Sequence, residues 1–294
     1  MGDRWDRALW TAAVGILVAG LAGCSVLGGS NAVGRTVAPS TPGARVPAAP
    51  VRLLQLNLCN SGIAGCYTGR STAQAAAVIR AEVPDLVTMN EACQDDVATL
   101  ERALAGVVPG GGVVSAFQPA RDGRTGEPYR CRNGQQYGNG VVSRWPSVPG
   151  TSAGAGIYPA QDTEDPEQRA WLCLDVAAGP AITVCTTHLA YTKREVAAAQ
   201  CRYLFDTVVG RIRAREGATP VVVGGDLNLG SGDGPELKAC LPAGSALVDD
   251  GGEQHVVATP EFAVDSSRTI DMRGTTDHPG LLVTLAAPAG RRTF

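Results

Sequence analysis

Hydrophobic residues along this chain form short, β-branched runs that alternate with stretches of helical periodicity. The run at residues 51–58 (VRLLQLNL) is the first that is typical of a strand, so the folded part is expected to begin there. Helices are predicted over residues 71–82 and 95–104, and the first of them ends before Pro84. The longest helix is predicted over residues 194–213, where apolar residues recur at helical spacing.

Further strands are predicted where apolar and β-branched residues lie between turn-forming residues. These runs are residues 85–90, 112–117, 139–143, 170–177, 181–187, 220–225 and 281–285. The segments 121–137 and 230–260 look irregular. No internal repeat and no second type of composition follows residue 50, so we expect a single mixed α/β domain over residues 51–294.

Residues 1–24 have the pattern of a signal peptide with a lipobox. Residues 8–22 are apolar but too few to span a membrane comfortably. Residues 21–24 (LAGC) resemble the lipobox of bacterial lipoproteins, in which the cysteine, here Cys24, is lipidated and becomes the mature N-terminus. Asp3 and Asp6 offset the usual positive charge, which leaves a plain secreted protein or an uncleaved anchor as alternatives. Residues 25–50, rich in Gly, Ser, Ala and Pro, are predicted to form a flexible tether.

Size and charge set only broad limits on function. With 294 residues, of which 44% are hydrophobic, the chain can bury a substantial core. The formal net charge of -3 gives no overall positive field that would attract nucleic acid, although it allows local basic patches. Charge therefore neither supports nor excludes a nuclease.

The cysteines indicate disulfide bonds. Without Cys24, eight of the nine cysteines remain, and an even number in an exported chain favours pairing. Cys173 and Cys185 lie in two β-rich runs joined by a turn-like segment, so an antiparallel hairpin would bring them opposite each other. Cysteines could also staple the two irregular segments. The spacing of cysteines and histidines does not suggest a zinc site.

The segment VVVGGDLN at residues 221–228 carries the most chemical information. Its apolar run is typical of a buried strand, and Gly224 and Gly225 would allow another backbone to approach closely. Asp226 and Asn228 are two residues apart, so in extended backbone both side chains leave the same face and could contact one phosphate or one water. The alternative is an ordinary turn in which both residues make local hydrogen bonds.

Polar residues also end or flank several other predicted strands. They are Asn57, Glu91, His188 and the pair Asp277 and His278. Ligand sites gather at strand ends, where a rigid backbone aims side chains into a crevice. His188 and His278 lie beside acids or hydroxyls, as expected of groups that transfer protons near neutral pH. The third histidine, His255, has no such context and is interpreted as an ordinary surface residue.

The order of these motifs resembles that of a known family. LLQLNL, DLVTMNE, QYGNGVVSRWP, EQRAWLCLDV, ITVCTTHL, VVVGGDLN, TIDMRG and TTDHPGLLVTL follow each other over about residues 51–286 as in the endonuclease/exonuclease/phosphatase family, which has the DNase I-like fold. The resemblance implies a four-layer α/β sandwich in which two mixed β-sheets pack face to face and helices flank them. It also implies hydrolysis of phosphoester bonds.

The same resemblance assigns a metal site and a phosphate contact. Glu91 would be the main ligand of Mg²⁺, with Mn²⁺ and Ca²⁺ as alternatives, and Asn57 would lie beside it. Asp277 would complete the group near the metal. Arg169 occupies the position of a phosphate-contacting arginine, although a solvated strand residue is an equal alternative.

The remaining roles concern the water and the transferred proton. Asp226 and Asn228 would hold the attacking water and a phosphate oxygen. His188 would contact the phosphate and stabilise its charge. Asp271 would orient His278, which would act as general base or acid. The residue types suit this chemistry on their own, because an anionic phosphodiester requires a cation, a positioned water and help for the leaving oxygen.

Two departures from the family pattern are minor. Asn90 stands where glutamine often precedes the glutamate, and Leu227 replaces a frequent aromatic residue. Neither change removes a metal ligand or a group that transfers protons.

Three functions remain open at this point. The first is an exported nuclease, for which the arginine-rich segment 121–132 with Tyr129 could follow a nucleic-acid backbone; a solvated loop is the alternative. The second is hydrolysis of a phospholipid or a phosphomonoester, although the sequence shows no convincing apolar hairpin for binding a membrane. The third is a non-catalytic envelope lipoprotein. We expect a monomer, tethered to the membrane through Cys24.

Overall fold

The computed structural model describes residues 49–110, 112–215, 219–231 and 235–286. All of these residues belong to a single compact unit. The predicted signal peptide, the lipidation site Cys24 and residues 25–48 of the predicted tether lie outside the described residues. Within the described part of the chain, no helix is both long enough and apolar enough to cross a membrane.

The first of two large sheets contains the predicted N-terminal strand, which begins at Val51. The strands of this sheet are β1 (Val51–Asn57), β2 (Leu86–Cys93), β3 (Val114–Pro119), β5 (Tyr137–Ser143), β13 (Ala263–Ile270) and β14 (Gly280–Ala286). Their spatial order is β13-β14-β1-β2-β5-β3. Only β1 and β2 are parallel neighbours, and the other pairs are antiparallel, so the sheet is mixed.

The second sheet also has six strands. They are β6 (Gly154–Ile157), β8 (Ala170–Ala177), β9 (Ala181–His188), β10 (Val221–Asp226), β11 (Ala246–Asp249) and β12 (Gln254–Ala258). Their order is β11-β12-β10-β9-β8-β6, and β9 and β10 are its parallel pair. A short ribbon of β4 (Arg121–Asp122) and β7 (Glu167–Gln168) stands apart from both sheets.

Helices cover the outer face of each sheet. α1 (Ser71–Glu82) and α2 (Gln94–Ala105) share a buried cluster with the first sheet. On the second sheet, a buried cluster includes α3 (Arg194–Arg202), a π-helical segment (Tyr203–Val209), α4 (Gly210–Arg213) and α5 (Pro235–Cys240). A third cluster lies between the two sheets. These layers confirm the predicted four-layer α/β sandwich.

The apolar runs of the central strands are explained by this layering, because both faces of each sheet are covered. In β1, Leu53 belongs to the cluster between the sheets, whereas Leu54 belongs to the cluster under the helices. In β10, Val222 packs between the sheets and Val223 packs towards the helices. Neighbouring residues along one strand therefore stabilise different layers.

The prediction of an irregular segment at 230–260 was wrong. It contains α5 and the strands β11 and β12, which extend the second sheet. His255, interpreted above as a surface residue, lies in β12 and is fully buried. The strand was missed because its apolar core is only two valines long and is flanked by polar residues. The segment 121–137 does lack long elements: it holds the short β4 and ends at Tyr137, the first residue of β5.

Four disulfide bonds connect the eight remaining cysteines. The predicted bond between Cys173 and Cys185 is confirmed, because the two residues face each other directly in the β8–β9 pair. The other bonds are Cys59–Cys66, Cys93–Cys131 and Cys201–Cys240. The last two join the segments 121–137 and 230–260 to neighbouring helices or strands, as the sequence suggested.

Candidate active site

A cavity of about 490 Å³ opens where strands of both sheets end. β1 and β2 are parallel neighbours, and so are β9 and β10, so the residues that follow these strands meet at one edge of the sandwich. Most of the predicted site residues line this cavity: Glu91, Arg169, His188, Asp226, Asn228, Asp277 and His278. Asn57 lies buried directly behind them.

Asn57 joins the two carboxylates that come from different sheets. Its side-chain amide donates one hydrogen bond of 3.0 Å to Glu91 Oε1 and another of 3.0 Å to Asp226 Oδ2. Its own Oδ1 accepts a hydrogen bond from the backbone N–H of Cys59. Asn57 is thereby fixed in orientation, and Glu91 and Asp226 are held close to each other.

A local irregularity in β2 directs Glu91 into the cavity. The register between β2 and β5 shifts between Met89 and Ala92, which is the behaviour of a β-bulge, and Glu91 has a positive φ of 53°. Bulges re-aim a side chain and occur next to active sites, and a non-glycine residue in this conformation is strained. The strain is consistent with a functional role for Glu91.

Asp226 is almost completely buried at the end of β10. Burial raises its pKa well above the usual range of an aspartate, while the nearby His278 and the hydrogen bond from Asn57 oppose the shift. Glu91 adds to the rise because two neighbouring negative charges repel each other. A cation bound between Asp226 and Glu91 would relieve this repulsion.

The two glycines before Asp226 serve the close approach that the sequence predicts. A side chain at Gly224 would come within 2.2 Å of Thr88 Oγ1 in the other sheet, and one at Gly225 would come within 2.4 Å of the carbonyl oxygen of Thr187. Asn228 has a positive φ of 50°, and its backbone N–H donates a 3.3 Å hydrogen bond to Asp226 Oδ1. The local turn considered as an alternative therefore exists, and it coexists with a position on the cavity wall.

Asn90 is a site residue whose role sequence reasoning missed. It is fully buried, and its Oδ1 accepts hydrogen bonds from the backbone N–H of Asp226 at 2.9 Å and from Gln55 Nε2 at 2.7 Å. Its amide group donates to Asn139 Oδ1 and to the carbonyl oxygen of Thr187. Asn90 therefore fixes the backbone of Asp226 from the opposite sheet.

His188 is held by a single, well-defined contact. Its Nδ1 lies 2.8 Å from Arg169 Nη1. Because an arginine can only donate, Nδ1 must accept, and the proton of the neutral imidazole is on Nε2. Burial, the positive charge of Arg169 and the nearby His278 all keep the pKa of His188 well below its usual range. His188 is thus a neutral hydrogen-bond donor at the cavity wall.

Arg169 is buried, which excludes the alternative of a solvated strand residue. Its side chain is 3% exposed and forms ion pairs of 3.0 Å with Asp165 and 3.2 Å with Glu167, in addition to its bond with His188. The guanidinium carbon also lies 5.6 Å from the centre of the Tyr191 ring. Arg169 is therefore fixed on several sides.

The acidic partners of Arg169 were also missed by sequence reasoning. Burial raises the pKa of Glu167 to about 7, although Arg169 opposes the shift. Tyr137, which hydrogen-bonds Glu167, also lines the cavity, and burial raises its pKa. The only sign of these partners in the sequence was a run of acidic residues shortly before Arg169, and such a run is equally typical of a solvated loop.

His278 contacts carboxylates other than the predicted one. Its Nε2 lies 3.7 Å from Asp226 Oδ2 and 3.8 Å from Asp277 Oδ1. Asp271 is exposed, does not line the cavity, and accepts a hydrogen bond from the backbone N–H of Arg273. An aspartate at the start of a turn often bonds its own backbone in this way. The acidic neighbours of His278 are therefore Asp226 and Asp277, and the predicted partner Asp271 is not one of them.

The chemistry of the donors at this end of the cavity fits a hard divalent cation. Carboxylate oxygens come from Glu91, Asp226 and Asp277, and Mg²⁺ prefers oxygen ligands. A separate group of possible ligand atoms consists of Asp277 with Cys59 and Cys66. Those two cysteines form a disulfide bond and offer no thiolate. The site therefore favours oxygen ligation.

Several solved structures share the fold of this chain. The endonuclease/exonuclease/phosphatase from Beutenbergia cavernae DSM 12333 is 22% identical, with a TM-score of 0.62 over 81% of this chain and 72% of that one. The human Nocturnin catalytic domain with a bound sulfate anion is 15% identical, with a TM-score of 0.62 over 83% and 95% of the two chains.

A third structure, D. rerio TDP2 complexed with a single-strand DNA product, is 16% identical, with a TM-score of 0.56 over 81% of this chain and 99% of that one. These likenesses show a common fold. No curated protein matches the chain at a significant level.

A family model covers most of the chain and all of the residues that line the cavity. The model described as the endonuclease/exonuclease/phosphatase family matches residues 54–278. This range begins in β1 and ends at His278, so it includes Asn57, Glu91, His188 and Asp226. The chain belongs to the endonuclease/exonuclease/phosphatase family, whose members hydrolyse phosphoester bonds and generally use divalent metal ions.

Proposed function

We propose that this protein is a Mg²⁺-dependent phosphodiesterase that cleaves nucleic acid. The observation that carries the proposal is the juxtaposition of Glu91 and Asp226, joined by Asn57, with the neutral donor His188 in the same cavity. Oxygen ligands for a cation and a donor for an anion are what phosphodiester hydrolysis requires.

Glu91 and Asp277 are the residues proposed to bind the metal ion, and Asn57 is proposed to position Glu91. When bound, Mg²⁺ would neutralise charge on the phosphate and polarise its phosphorus–oxygen bonds. Glu91 and Asp277 supply negative charge, and Asn57 keeps Glu91 in place through its amide. The exposed position of Asp277, whose side chain is 53% accessible, leaves room for water and substrate.

Asp226 and His278 are proposed to manage the proton of the attacking water. Asp226 Oδ2 and His278 Nε2 are 3.7 Å apart, so one water or phosphate oxygen could contact both. Asp226 lines the cavity, so its carboxylate can accept a proton from this water or orient it. Asn228, on the same cavity wall, would hold a phosphate oxygen.

His188 is proposed to bind a phosphate oxygen through Nε2–H. A neutral donor stabilises an anion without having to lose a proton as the pH rises, so this contact persists above neutral pH. Arg169 fixes the ring and contributes its charge from behind. Because its Nη atoms already contact three protein groups, Arg169 is better described as a positioning residue than as a direct phosphate ligand.

The choice of nucleic acid is supported by the surface beside the cavity. A second cavity of about 400 Å³ adjoins the first and shares Ile63 and Tyr129 with it; its charged lining residues are Arg124, Arg130, Asp122 and Glu127. The side chain of Arg124 is 71% exposed. Basic side chains next to a phosphate site can contact further phosphates of a polymer. In addition, the structurally similar D. rerio TDP2 was solved with a single-strand DNA product.

Phospholipid hydrolysis is the second candidate, and one observation favours it. Ile63, Tyr67 and Tyr191 are large hydrophobic residues that the structure leaves exposed, and two of them line the main cavity. Exposed apolar side chains around a phosphate site could also enter a lipid surface. The two arginines of the adjoining cavity, with the exposed Arg124 beside the phosphate site, give the nuclease the stronger support.

Export and membrane attachment through Cys24 are part of the proposal. Four disulfide bonds support an oxidising compartment, because such bonds are rare in reducing cytosol. A Cys24→Ser variant expressed in a bacterial host should lose incorporation of labelled palmitate and leave the membrane fraction. Equal labelling of the variant and the native chain would refute lipidation at this residue.

The activity is tested by nicking of supercoiled plasmid DNA. The purified, oxidised full chain should nick DNA with Mg²⁺ and stop when a chelator is added. Asp226→Asn and His278→Gln should each lower the rate by about 100-fold or more. The control is Asp265→Asn, since Asp265 is an exposed aspartate in β13, and this variant should behave as the native chain.

Two results would contradict the proposal. Nicking that persists in the chelator would exclude dependence on a metal ion. No cleavage of DNA or RNA by the native chain, together with hydrolysis of sphingomyelin or phosphatidylcholine vesicles, would replace the nuclease with the second candidate.

A further inference from the structure

Two exposed apolar side chains at the main cavity have no role in the proposed phosphate chemistry. Ile63 is 55% exposed and Tyr191 is 65% exposed, and both line the cavity. Among the described residues, the only other large hydrophobic residues that are exposed are Tyr67 and Val264. Half of this small set therefore lies at the one place where substrate would enter.

Tyr191 is held with one face covered. The guanidinium carbon of Arg169 lies 5.6 Å from the centre of the Tyr191 ring, within the range of a cation–π contact. Arg169 itself is fixed by Asp165, Glu167 and His188. Because the ring is 65% exposed despite this contact, its remaining surface is open to the cavity and to solvent.

The chain around Tyr191 is fixed close to the phosphate site. Tyr191 follows His188 by three residues, and the intervening Leu189 and Ala190 are buried. The backbone N–H of Ala190 donates a 2.8 Å hydrogen bond to Gln200 Oε1. The ring is consequently presented on a rigid segment, next to the proposed phosphate donor His188.

Ile63 lies on a second rigid segment. The Cys59–Cys66 disulfide closes the loop that carries it, and Ser61 Oγ accepts hydrogen bonds from the backbone N–H groups of Ile63 and Ala64. The carbonyl oxygen of Ser61 accepts a hydrogen bond from the backbone N–H of Arg132. Ile63 can therefore offer apolar contact without a large ordering cost.

We propose that Tyr191, assisted by Ile63, forms a stacking site for the nucleobase beside the phosphate that is cleaved. This inference rests on the proposed nuclease function. An aromatic ring stacks on a base whatever its identity, and a base exposes its face only when it is unpaired or at a frayed end. The enzyme should therefore prefer single-stranded over duplex nucleic acid, with little dependence on sequence.

The test compares two single-stranded substrates that differ only in their bases. One is a 12-nucleotide oligothymidylate, and the other is the same sugar–phosphate backbone made of abasic residues. The full chain is assayed with Mg²⁺, and the ratio of kcat/KM for the two substrates is measured for each protein. Because both substrates are assayed with the same protein preparation, a smaller folded fraction lowers both rates equally and leaves their ratio unchanged.

We expect the native chain to prefer oligothymidylate by about 5-fold to 100-fold, in line with the usual strength of stacking on one base. Tyr191→Ala should reduce this ratio to near 1, and Tyr191→Phe, which keeps the ring face, should retain it. Tyr67→Ala is the matched control, because Tyr67 is also an exposed tyrosine but does not line the cavity. Its ratio should equal that of the native chain.

The inference fails if the native chain cleaves both substrates equally, or if Tyr191→Ala lowers both rates and leaves the ratio unchanged. It also fails if Tyr191→Ala loses hydrolysis of sphingomyelin vesicles while its DNA ratio stays native, which would assign the ring to a lipid surface. Failure of the native chain to cleave any nucleic acid would instead refute the proposed function on which the inference rests.

Discussion

Replacing Arg169 with methionine should leave buried negative charge without a partner. Arg169 is 3% exposed, and its guanidinium pairs with Asp165 and Glu167 and bonds to His188. Methionine keeps much of the apolar length of the side chain, so the change mainly removes the charge and its donors. Removing one partner of a buried ion pair costs about 3–5 kcal/mol. We expect a loss of this size in the free energy of unfolding at pH 8.

The loss should be smaller at pH 5. The pKa of Glu167 is already raised from 4.5 to about 7, chiefly by burial, and Arg169 limits this rise. A carboxyl whose pKa is higher in the folded state contributes stability that is complete below its unfolded pKa and is lost as the pH rises through its folded pKa. Without Arg169 the pKa of Glu167 rises further, so this loss of stability continues to higher pH and is larger in the variant than in the native chain.

The assay is urea unfolding of the oxidised protein at both pH values. Arg268→Met is the matched control, because Arg268 pairs with Glu82 at the surface and its side chain is 54% exposed. Such a pair is typically worth about 1 kcal/mol or less. If Arg169→Met cost no more than Arg268→Met, or cost the same at both pH values, the reasoning from burial would be refuted.

The pKa of His188 and the position of its proton give a second, independent test of the Arg169→Met variant. Arg169 lowers the pKa of His188 and forces its Nδ1 to accept a hydrogen bond. In Arg169→Met the pKa of His188 should rise, and the proton should no longer be confined to Nε2. Nitrogen-15 NMR of the ring distinguishes these states. A native chain with the proton on Nδ1 would contradict the proposed donor role of Nε2.

Three further substitutions test other parts of the site, each by urea unfolding. Asn90→Leu should cost about 3–5 kcal/mol, since several buried partners lose their hydrogen bonds, and a loss under 1 kcal/mol would show that water replaces them. Gly224→Ala should cost about 2 kcal/mol or more because its side chain would meet Thr88 at 2.2 Å, whereas Gly112→Ala, with open space around it, should be nearly neutral. Between pH 5 and pH 8 the native chain should lose up to about 3 kcal/mol of unfolding free energy through Glu167, and Glu167→Gln should not show this loss. Unfolding free energies that change equally with pH in the two proteins would disprove the raised pKa.

The sequence could predict those site residues that directly end a buried strand. Asn57, His188 and Asp226 each follow an apolar run, and the parallel pairs of strands carry them to the same edge. The end of the apolar run predicts where the strand ends, and the position of the strand in the sheet determines where the polar side chain after it lies. The position of Glu91 at a bulge does not follow from the run, because the register shift depends on pairing with β5.

The residues that sequence reasoning misplaced depend on contacts between distant segments. His255 is buried because its two ring nitrogens face the carbonyl oxygens of Glu253 and Gly230, at 2.8 Å and 2.9 Å. Only a protonated ring nitrogen can donate to such a carbonyl oxygen, and composition alone would place this polar ring on the surface. Glu167 is likewise recognisable only with Arg169 beside it, since an acid in a loop is usually solvated.

The division of the site between two sheets gives their packing a part in the chemistry. Glu91 belongs to the first sheet and Asp226 to the second, so the distance between the two carboxylates is set by how closely the sheets approach. Asn57 and Asn90, both from the first sheet, bond to the side chain and to the backbone of Asp226. Gly224 permits this approach because it places no side chain between the sheets. A change in packing there would displace Asp226 from Glu91 even though every proposed ligand remained, and the rate should fall before the affinity for substrate does.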